Sequence, residues 1–80
     1  METYDFYSKA REIARKLEKE NLTDQASKVV DAISAGSTAT EILMILRWEL
    51  DQVLLNSPLL SGEIRNEIFD FICKVDEVLN

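Results

Sequence analysis

The stretch from Gly36 to Leu55, GSTATEILMILRWELDQVLL, constrains the fold of this chain more than any other part of it. It begins with residues that start helices and then carries more apolar side chains than a surface helix needs. Ser37 or Thr38 can cap the N-terminus, and Thr38 with Glu41 fits a capping box, in which two side chains satisfy free amide donors. We therefore predict a central helix that other helices cover.

Two apolar surfaces separate on this helix when successive residues are placed at the helical step of about 100°. A second, narrower stripe of Met44, Trp48 and Leu55 lies opposite a broad main arc and is bounded by Arg47 and Asp51 on one side. Either a second neighbouring helix buries this stripe, or the stripe is exposed and binds a partner, because Trp and Met are over-represented in interfaces. The sequence leaves both alternatives open. The main arc, which we assign to the core, consists of Ile42, Leu43, Leu46, Leu50, Val53 and Leu54.

Three further helices are predicted around the central one. Helical periodicity and end signals give helices at about 3–20, 23–35, 38–56 and 62–79. Two glycines and one proline leave little room for long loops. The predicted fold is therefore all-α, a compact antiparallel four-helix bundle that forms a single domain over residues 1–80.

The junctions between these helices carry their own signals. Asn21 or Thr23 is expected to cap the second helix, and Gly36 to end it in the left-handed conformation that glycine adopts freely. In the loop before the last helix, Leu59 and Leu60 are expected to fold over the end of the bundle. The last helix is expected to bury Ile64, Ile68, Phe71, Ile72, Val75, Val78 and Leu79.

Charge is distributed unevenly along the chain, which has a net charge of −6. Acids and bases balance in the first helix, where the pairs Asp5–Lys9, Glu12–Lys16 and Lys16–Glu20 are expected to face solvent. The excess acid lies after residue 20 and forms a stripe on the last helix that consists of Glu63, Glu67, Asp70 and Glu77. This stripe either has a binding role or keeps the protein soluble. An acidic surface repels phosphate backbones and anionic lipids and attracts basic partners. Nucleic-acid binding is not expected, because the basic residues are interleaved with acids.

No set of residues fits a catalytic or metal site. The chain has no histidine and a single cysteine, Cys73, which excludes a zinc site and a Ser-His-Asp or Cys-His arrangement. Gly36 and Gly62 are isolated and form no phosphate-binding loop. We therefore expect no enzymatic activity, no cofactor and no metal, and we place Cys73 at the periphery of the core.

The sequence shows neither of the usual signals for membrane insertion or export. No apolar run approaches the roughly 20 residues that a membrane-spanning helix needs. The N-terminal segment METYDFYSKAREIARK lacks the basic-then-apolar order of a signal peptide. The expected location is the cytoplasm, without membrane association.

The segment STATEILMILRWEL, residues 37–50, followed by an apolar and acidic last helix, resembles the immunity proteins of bacterial contact-dependent growth inhibition systems. The immunity proteins of nuclease colicins are also similar, as acidic four-helix proteins. They carry paired tyrosines before a proline, whereas here Asn56 and Ser57 precede Pro58. No binding residue is therefore transferred from that family to this chain.

The resemblance implies a protein that binds and neutralises a cognate toxin, and a nuclease toxin would present a basic surface. Under this hypothesis Trp48 and Met44 are the anchor candidates. Electrostatic steering would come from Glu63, Glu67, Asp70 and Glu77, with Asp51 as an addition from the central helix. The alternative is a self-associating helical adaptor without a toxin partner, in which the Met44, Trp48 and Leu55 stripe is a dimer seam. Both a monomer and a homodimer fit the sequence.

Overall fold

The computed structural model describes residues 4–79 and contains four α-helices: α1 (Phe6–Lys19), α2 (Thr23–Ala35), α3 (Ala39–Asn56) and α4 (Gly62–Leu79). No strand occurs among these residues. The predicted all-α four-helix bundle is confirmed. The predicted helix ends agree with the structure to within one residue, with one exception. The predicted start of the first helix, residue 3, lies outside the described residues. Helices α1 and α3 each pack against α2 and α4, so they occupy diagonal corners of the bundle.

Asp5 caps the N-terminus of α1. Its carboxylate accepts hydrogen bonds from the Ser8 backbone N–H at 3.1 Å and from the Ser8 hydroxyl at 2.8 Å. These bonds to the charged form lower the pKa of Asp5. The predicted pair with Lys9 is wrong, because the carboxylate satisfies amide donors of the first turn and the Lys9 ammonium lies 3.7 Å from Glu12 instead.

Thr38 caps α3 as the sequence predicts. Its Oγ1 accepts from the Glu41 backbone N–H at 3.2 Å. The Glu41 carboxylate accepts in return from the N–H and the hydroxyl of Ser37, each at 3.2 Å, so the second bond of the capping box goes to the residue before the cap. The start of the central helix is therefore set by the side chains of Thr38 and Glu41 together with Ser37.

Two predictions at the ends of α2 are wrong. The N-cap is Leu22, whose side chain makes no capping bond, and Thr23 is already the first helical residue. Asn21 takes the left-handed conformation with φ 66°, which asparagine tolerates better than most residues, and the chain reverses there. Gly36 is not left-handed, since its φ is −85°.

Close approach, and not backbone conformation, explains the glycine at position 36. A Cβ atom there would lie 2.8 Å from Cγ1 of Ile42 and 2.9 Å from its backbone nitrogen. Both distances are shorter than any ordinary van der Waals contact. The short connection between α2 and α3 therefore has no room for a side chain at Gly36.

We expect Gly36→Ala to lower the free energy of unfolding by about 1–3 kcal/mol, because the added methyl group meets helix backbone that cannot easily move. Gly62→Ala is the matched control, since a Cβ at Gly62 meets nothing within 4 Å. That substitution should be neutral or stabilising by up to about 1 kcal/mol. Urea unfolding of both variants measures the difference, and equal stabilities would contradict the steric explanation.

All four helices contribute to one core. On α3 the predicted main arc is confirmed: Leu43, Leu46, Leu50 and Val53 are buried, and Ile42 and Leu54 are half-buried. An aromatic cluster closes the end where α1 begins. The ring of Phe6 meets those of Tyr4 and Phe71 edge to face at centroid distances of 4.8 and 5.5 Å. The buried residues of the other helices are Ala10, Ile13, Ala14 and Leu17 of α1, Ala26, Val29 and Ala32 of α2, and Ile64, Ile68, Phe71 and Val75 of α4.

Three side chains predicted to be covered are exposed. Leu60 is buried, but Leu59 is 96% exposed, because a tight turn closed by the Leu60 N–H and the Ser57 carbonyl at 3.1 Å directs Leu59 outward. Val78 is 61% exposed at the end of α4. Cys73 is also exposed, because it lies two residues from both Phe71 and Val75 and so faces away from the core.

Candidate protein-binding site

The outer face of α3 carries three exposed apolar side chains, Met44, Trp48 and Leu55, which we call the Trp48 face. Their exposed fractions are 57%, 60% and 70%. They lie opposite the core because the buried Leu46 and Leu50 each stand two residues from Trp48 along the helix. Of the two alternatives for this stripe, burial by a second neighbouring helix is wrong. An open apolar surface is what the structure contains.

A shallow groove of about 130 Å³ runs beside the indole on the α2 side of the Trp48 face. Most of its walls are polar, so a partner side chain that enters it meets both the indole edge and hydrogen-bonding groups. The residues that line it are Gln25, Lys28, Trp48, Glu49, Gln52, Val53 and Asn56.

The α4 side of the Trp48 face is bounded by an ion pair. Arg47 donates to the Asp76 carboxylate through Nε at 2.6 Å and through Nη2 at 3.2 Å, which joins α3 to α4. This pairing raises the pKa of Arg47 and lowers the pKa of Asp76. Asp51, one turn after Arg47, has no cation within 4 Å among residues 4–79.

A second contact fixes how α3 and α4 align. The Arg65 guanidinium donates to the Ser57 carbonyl at 3.3 Å. Together with the Arg47–Asp76 pair, this contact makes the helices antiparallel and brings the level of Phe69 on α4 close to that of Leu55 on α3. Phe69 is 52% exposed, so apolar surface extends from the Trp48 face toward α4.

We expect the Arg47–Asp76 pair to stabilise the bundle in a pH-dependent way. The pKa of Asp76 in the folded chain is lowered from its ordinary value of 3.8, so its contribution is present above that pH and is lost as the pH falls through the lowered value. The stability difference between the wild type and Asp76→Asn should therefore be largest near neutral pH and should shrink below about pH 4. Thermal unfolding from pH 2 to 7 measures this, and a pH-independent difference would contradict it.

Most of the predicted acidic stripe on α4 is already paired. The Lys16 ammonium of α1 lies 2.6 Å from Glu67, 3.7 Å from Glu63 and 3.8 Å from Glu12. The hydrogen bond to Glu67 raises the pKa of Lys16. The ammonium therefore offsets the repulsion between the Glu63 and Glu67 carboxylates, which lie one turn apart, and joins α1 to α4.

This arrangement corrects the interpretation of the first-helix charges as purely solvent-facing. The Glu12–Lys16 pair forms, but Lys16 does not pair with Glu20, whose carboxylate accepts from the Ser61 N–H at 3.3 Å. Lys16 therefore joins α1 to α4, and Glu20 joins α1 to the residue just before α4.

The structure does not bring all the predicted site residues together. Met44, Trp48 and Asp51 share the outer surface of α3. Glu63 and Glu67 lie on the α1 side of α4, away from the Trp48 face, and Asp70 lies 3.7 Å from Lys74. In the described residues, only Asp51 and Glu77 of the five predicted steering carboxylates have no cation within 4 Å.

A row of cations that the sequence analysis missed runs along α1. Arg11, Arg15 and Lys19 are exposed, stand one helical turn apart and, within the part of the chain that the structure describes, have no carboxylate within 4 Å. The row is hard to recognise in the sequence because acidic residues lie between these cations along α1. Its four-residue spacing was the signal that could have found it. Because α1 and α3 are diagonal, the row lies on the opposite side of the bundle from the Trp48 face.

Two other features of the surface were also missed. Phe69 stands two residues from the buried Phe71, and this spacing alone indicates an outward direction. Lys28 and Gln25 reach the groove beside Trp48 only because α2 packs against α3, and no local pattern in the sequence shows that.

No protein family model, curated protein or solved structure matches this chain. None of the helices in residues 4–79 is long and apolar enough to cross a membrane. Over the same residues, no group of three or more acidic or cysteine side chains is placed to hold a metal ion. The Trp48 face and the distribution of charge are therefore the features of this chain that bear on its function.

Proposed function

We propose that this chain is an immunity protein that binds and neutralises a bacterial toxin with a basic, nuclease-type surface. The observation that carries the proposal is the exposure of Trp48 at the centre of an apolar face on α3. The resemblance of residues 37–50 to immunity proteins of contact-dependent growth inhibition supports the choice of partner. In this proposal the chain acts in the cytoplasm by binding alone, without a catalytic group or cofactor.

Trp48 is a suitable anchor because it adds little to the folding of its own chain. A side chain that is 60% exposed leaves most of its apolar area in water, and a partner gains the free energy of covering it. Tryptophan is also enriched among the few interface residues that supply most of the binding energy. Met44, one turn before it, adds a flexible side chain that adapts to the partner surface.

Charge supports the same kind of partner. The net charge of −6 attracts a basic protein, and electrostatic steering raises association rates toward about 10⁸–10⁹ M⁻¹s⁻¹. Asp51 lies at the edge of the Trp48 face and has no cation within 4 Å among residues 4–79, although Arg47 one turn away partly offsets its charge. Glu63, Glu67 and Asp70 contribute mainly through the net charge, since Lys16 and Lys74 stand beside them.

Testing this proposal requires the toxin domain encoded beside the gene for this chain. Mixing the two should give a stable complex and abolish the toxin activity, and the association rate should fall steeply as salt is added. A basic protein of similar size from an unrelated source serves as the control and should not bind. Absence of a complex would contradict the function, and an association rate insensitive to ionic strength would contradict the steering.

A further inference from the structure

We infer that the Trp48 face also binds a second copy of this chain, with α3 packed antiparallel against α3 about a two-fold axis. This inference goes beyond toxin binding because it needs no other protein. A two-fold interface uses the same patch on both copies, so that patch must be complementary to itself. The Trp48 face meets this requirement in both its apolar residues and its charges.

The apolar residues are symmetric about a point midway between Glu49 and Leu50. Met44 and Leu55 lie equally far from that point, so in the antiparallel pair Met44 of each copy is opposite Leu55 of the other. Trp48 is close to the two-fold axis, and the two indoles are offset by about 4.5 Å along the direction of the α3 helices, at the helical rise per residue. Side by side at that offset, two aromatic rings are within their usual contact distance of about 4.5–7 Å.

The charges on the α4 side of the face are complementary in the same register. A two-fold axis brings this side of both copies together, and Arg47 of one copy then lies within one residue of the level of Asp51 of the other. Two identical pairs result. Asp51 has no cation within 4 Å in the described part of its own chain. Arg47 uses Nε and Nη2 for Asp76, which leaves Nη1 free to donate to a carboxylate of the second copy.

The size of the face indicates a weak dimer. From Met44 to Leu55 the stripe is about 16 Å long. A stable interface buries about 800 Å² per partner, and three side chains on one helix supply only part of that. We expect a dissociation constant of about 10–100 µM, so dilute protein exposes its Trp48 face to other partners.

Sedimentation equilibrium of the full chain over rising concentration provides the first test. The apparent mass should rise from 9.2 kDa toward twice that value, and the emission of Trp48, the only tryptophan, should shift to shorter wavelength as its ring is covered. Two charge variants then test the register. Asp51→Arg places four positive side chains across the axis of its homodimer, and Arg47→Glu places four negative ones, so each should be monomeric alone. Mixed in equal amounts, they restore both opposite-charge pairs and should dimerise.

Asp31→Arg is the control, because it makes the same charge change at an exposed position on α2 and should still dimerise. Circular dichroism checks folding, since Arg47→Glu also removes the pair with Asp76. If Arg47→Glu is unfolded, the register is tested by comparing the dimerisation of Asp51→Arg with that of Asp31→Arg. A wild type that stays monomeric up to about 1 mM would overturn the proposal, because that concentration is about 10 times the weakest expected constant. So would an Asp51→Arg variant that dimerises like the control, or folded charge variants that fail to dimerise when mixed.

Discussion

Replacing Phe71 with alanine is expected to lower the free energy of unfolding by about 3–5 kcal/mol. The ring is fully buried in α4 and packs edge to face with Phe6 at 5.5 Å and with Tyr4 at 6.2 Å. Its loss leaves a cavity where α1 and α4 meet and removes two aromatic contacts. A chain of this length has a total stability of about 4–12 kcal/mol, so the substitution removes at least about a quarter of it.

Urea unfolding followed by circular dichroism measures this effect. Phe69→Ala is the matched control, since it makes the same chemical change two residues away at a side chain that is 52% exposed. It should change stability by about 0.5 kcal/mol or little more. Similar losses for Phe69→Ala and Phe71→Ala would show that the packing described for α4 is incorrect.

Replacing Trp48 with alanine is expected to weaken binding of the cognate toxin by at least about 30-fold, the equivalent of about 2 kcal/mol for an interface hot spot. The stability of the isolated chain should change little, because the indole is 60% exposed and lies outside the core. Loss of binding without loss of stability distinguishes an interface residue from a core residue.

Titration calorimetry with the toxin domain gives the affinities of the wild type and the variant. Val78→Ala is the control, since Val78 is exposed to the same extent, 61%, but lies on α4 away from the Trp48 face. It should bind like the wild type. Unchanged affinity for Trp48→Ala would exclude the Trp48 face as the main contact, and the toxin would then have to bind elsewhere on the bundle.

The sequence predicts the helices well because the signals that set their ends are local. Thr38 and Glu41 are three residues apart, and their capping interaction depends on nothing outside that segment. The main arc of α3 is equally local, since Leu43, Leu46 and Leu50 follow the helical period and are all buried. A four-helix bundle follows from these patterns and from the short connections.

Features that depend on packing between helices were beyond the sequence. Lys16 and Glu67 meet at 2.6 Å although 51 residues separate them, and neither position signals the other. The exposure of Trp48 depends on how many helices surround α3, which the apolar pattern does not decide. Gly36 was explained by the wrong property, because the close approach of Ile42 appears only in three dimensions.

The two proposals use one surface, so they are linked. A toxin that covers Trp48 prevents the second copy from binding there, and each equilibrium draws on the same free monomer. Toxin binding should therefore dissociate the dimer by mass action. Because the expected dimer is weak, most of the protein at low concentration is monomeric and free to bind the toxin.

The diagonal placement of α1 and α3 separates a row of cations from the Trp48 face. Arg11, Arg15 and Lys19 put positive charge on one corner of the bundle, and Asp51 lies at the opposite corner beside Trp48. Positive charge is therefore concentrated at the corner farthest from the Trp48 face, in a chain whose net charge is −6. Under the proposed function, this row would repel a basic toxin surface locally, which disfavours an approach through α1.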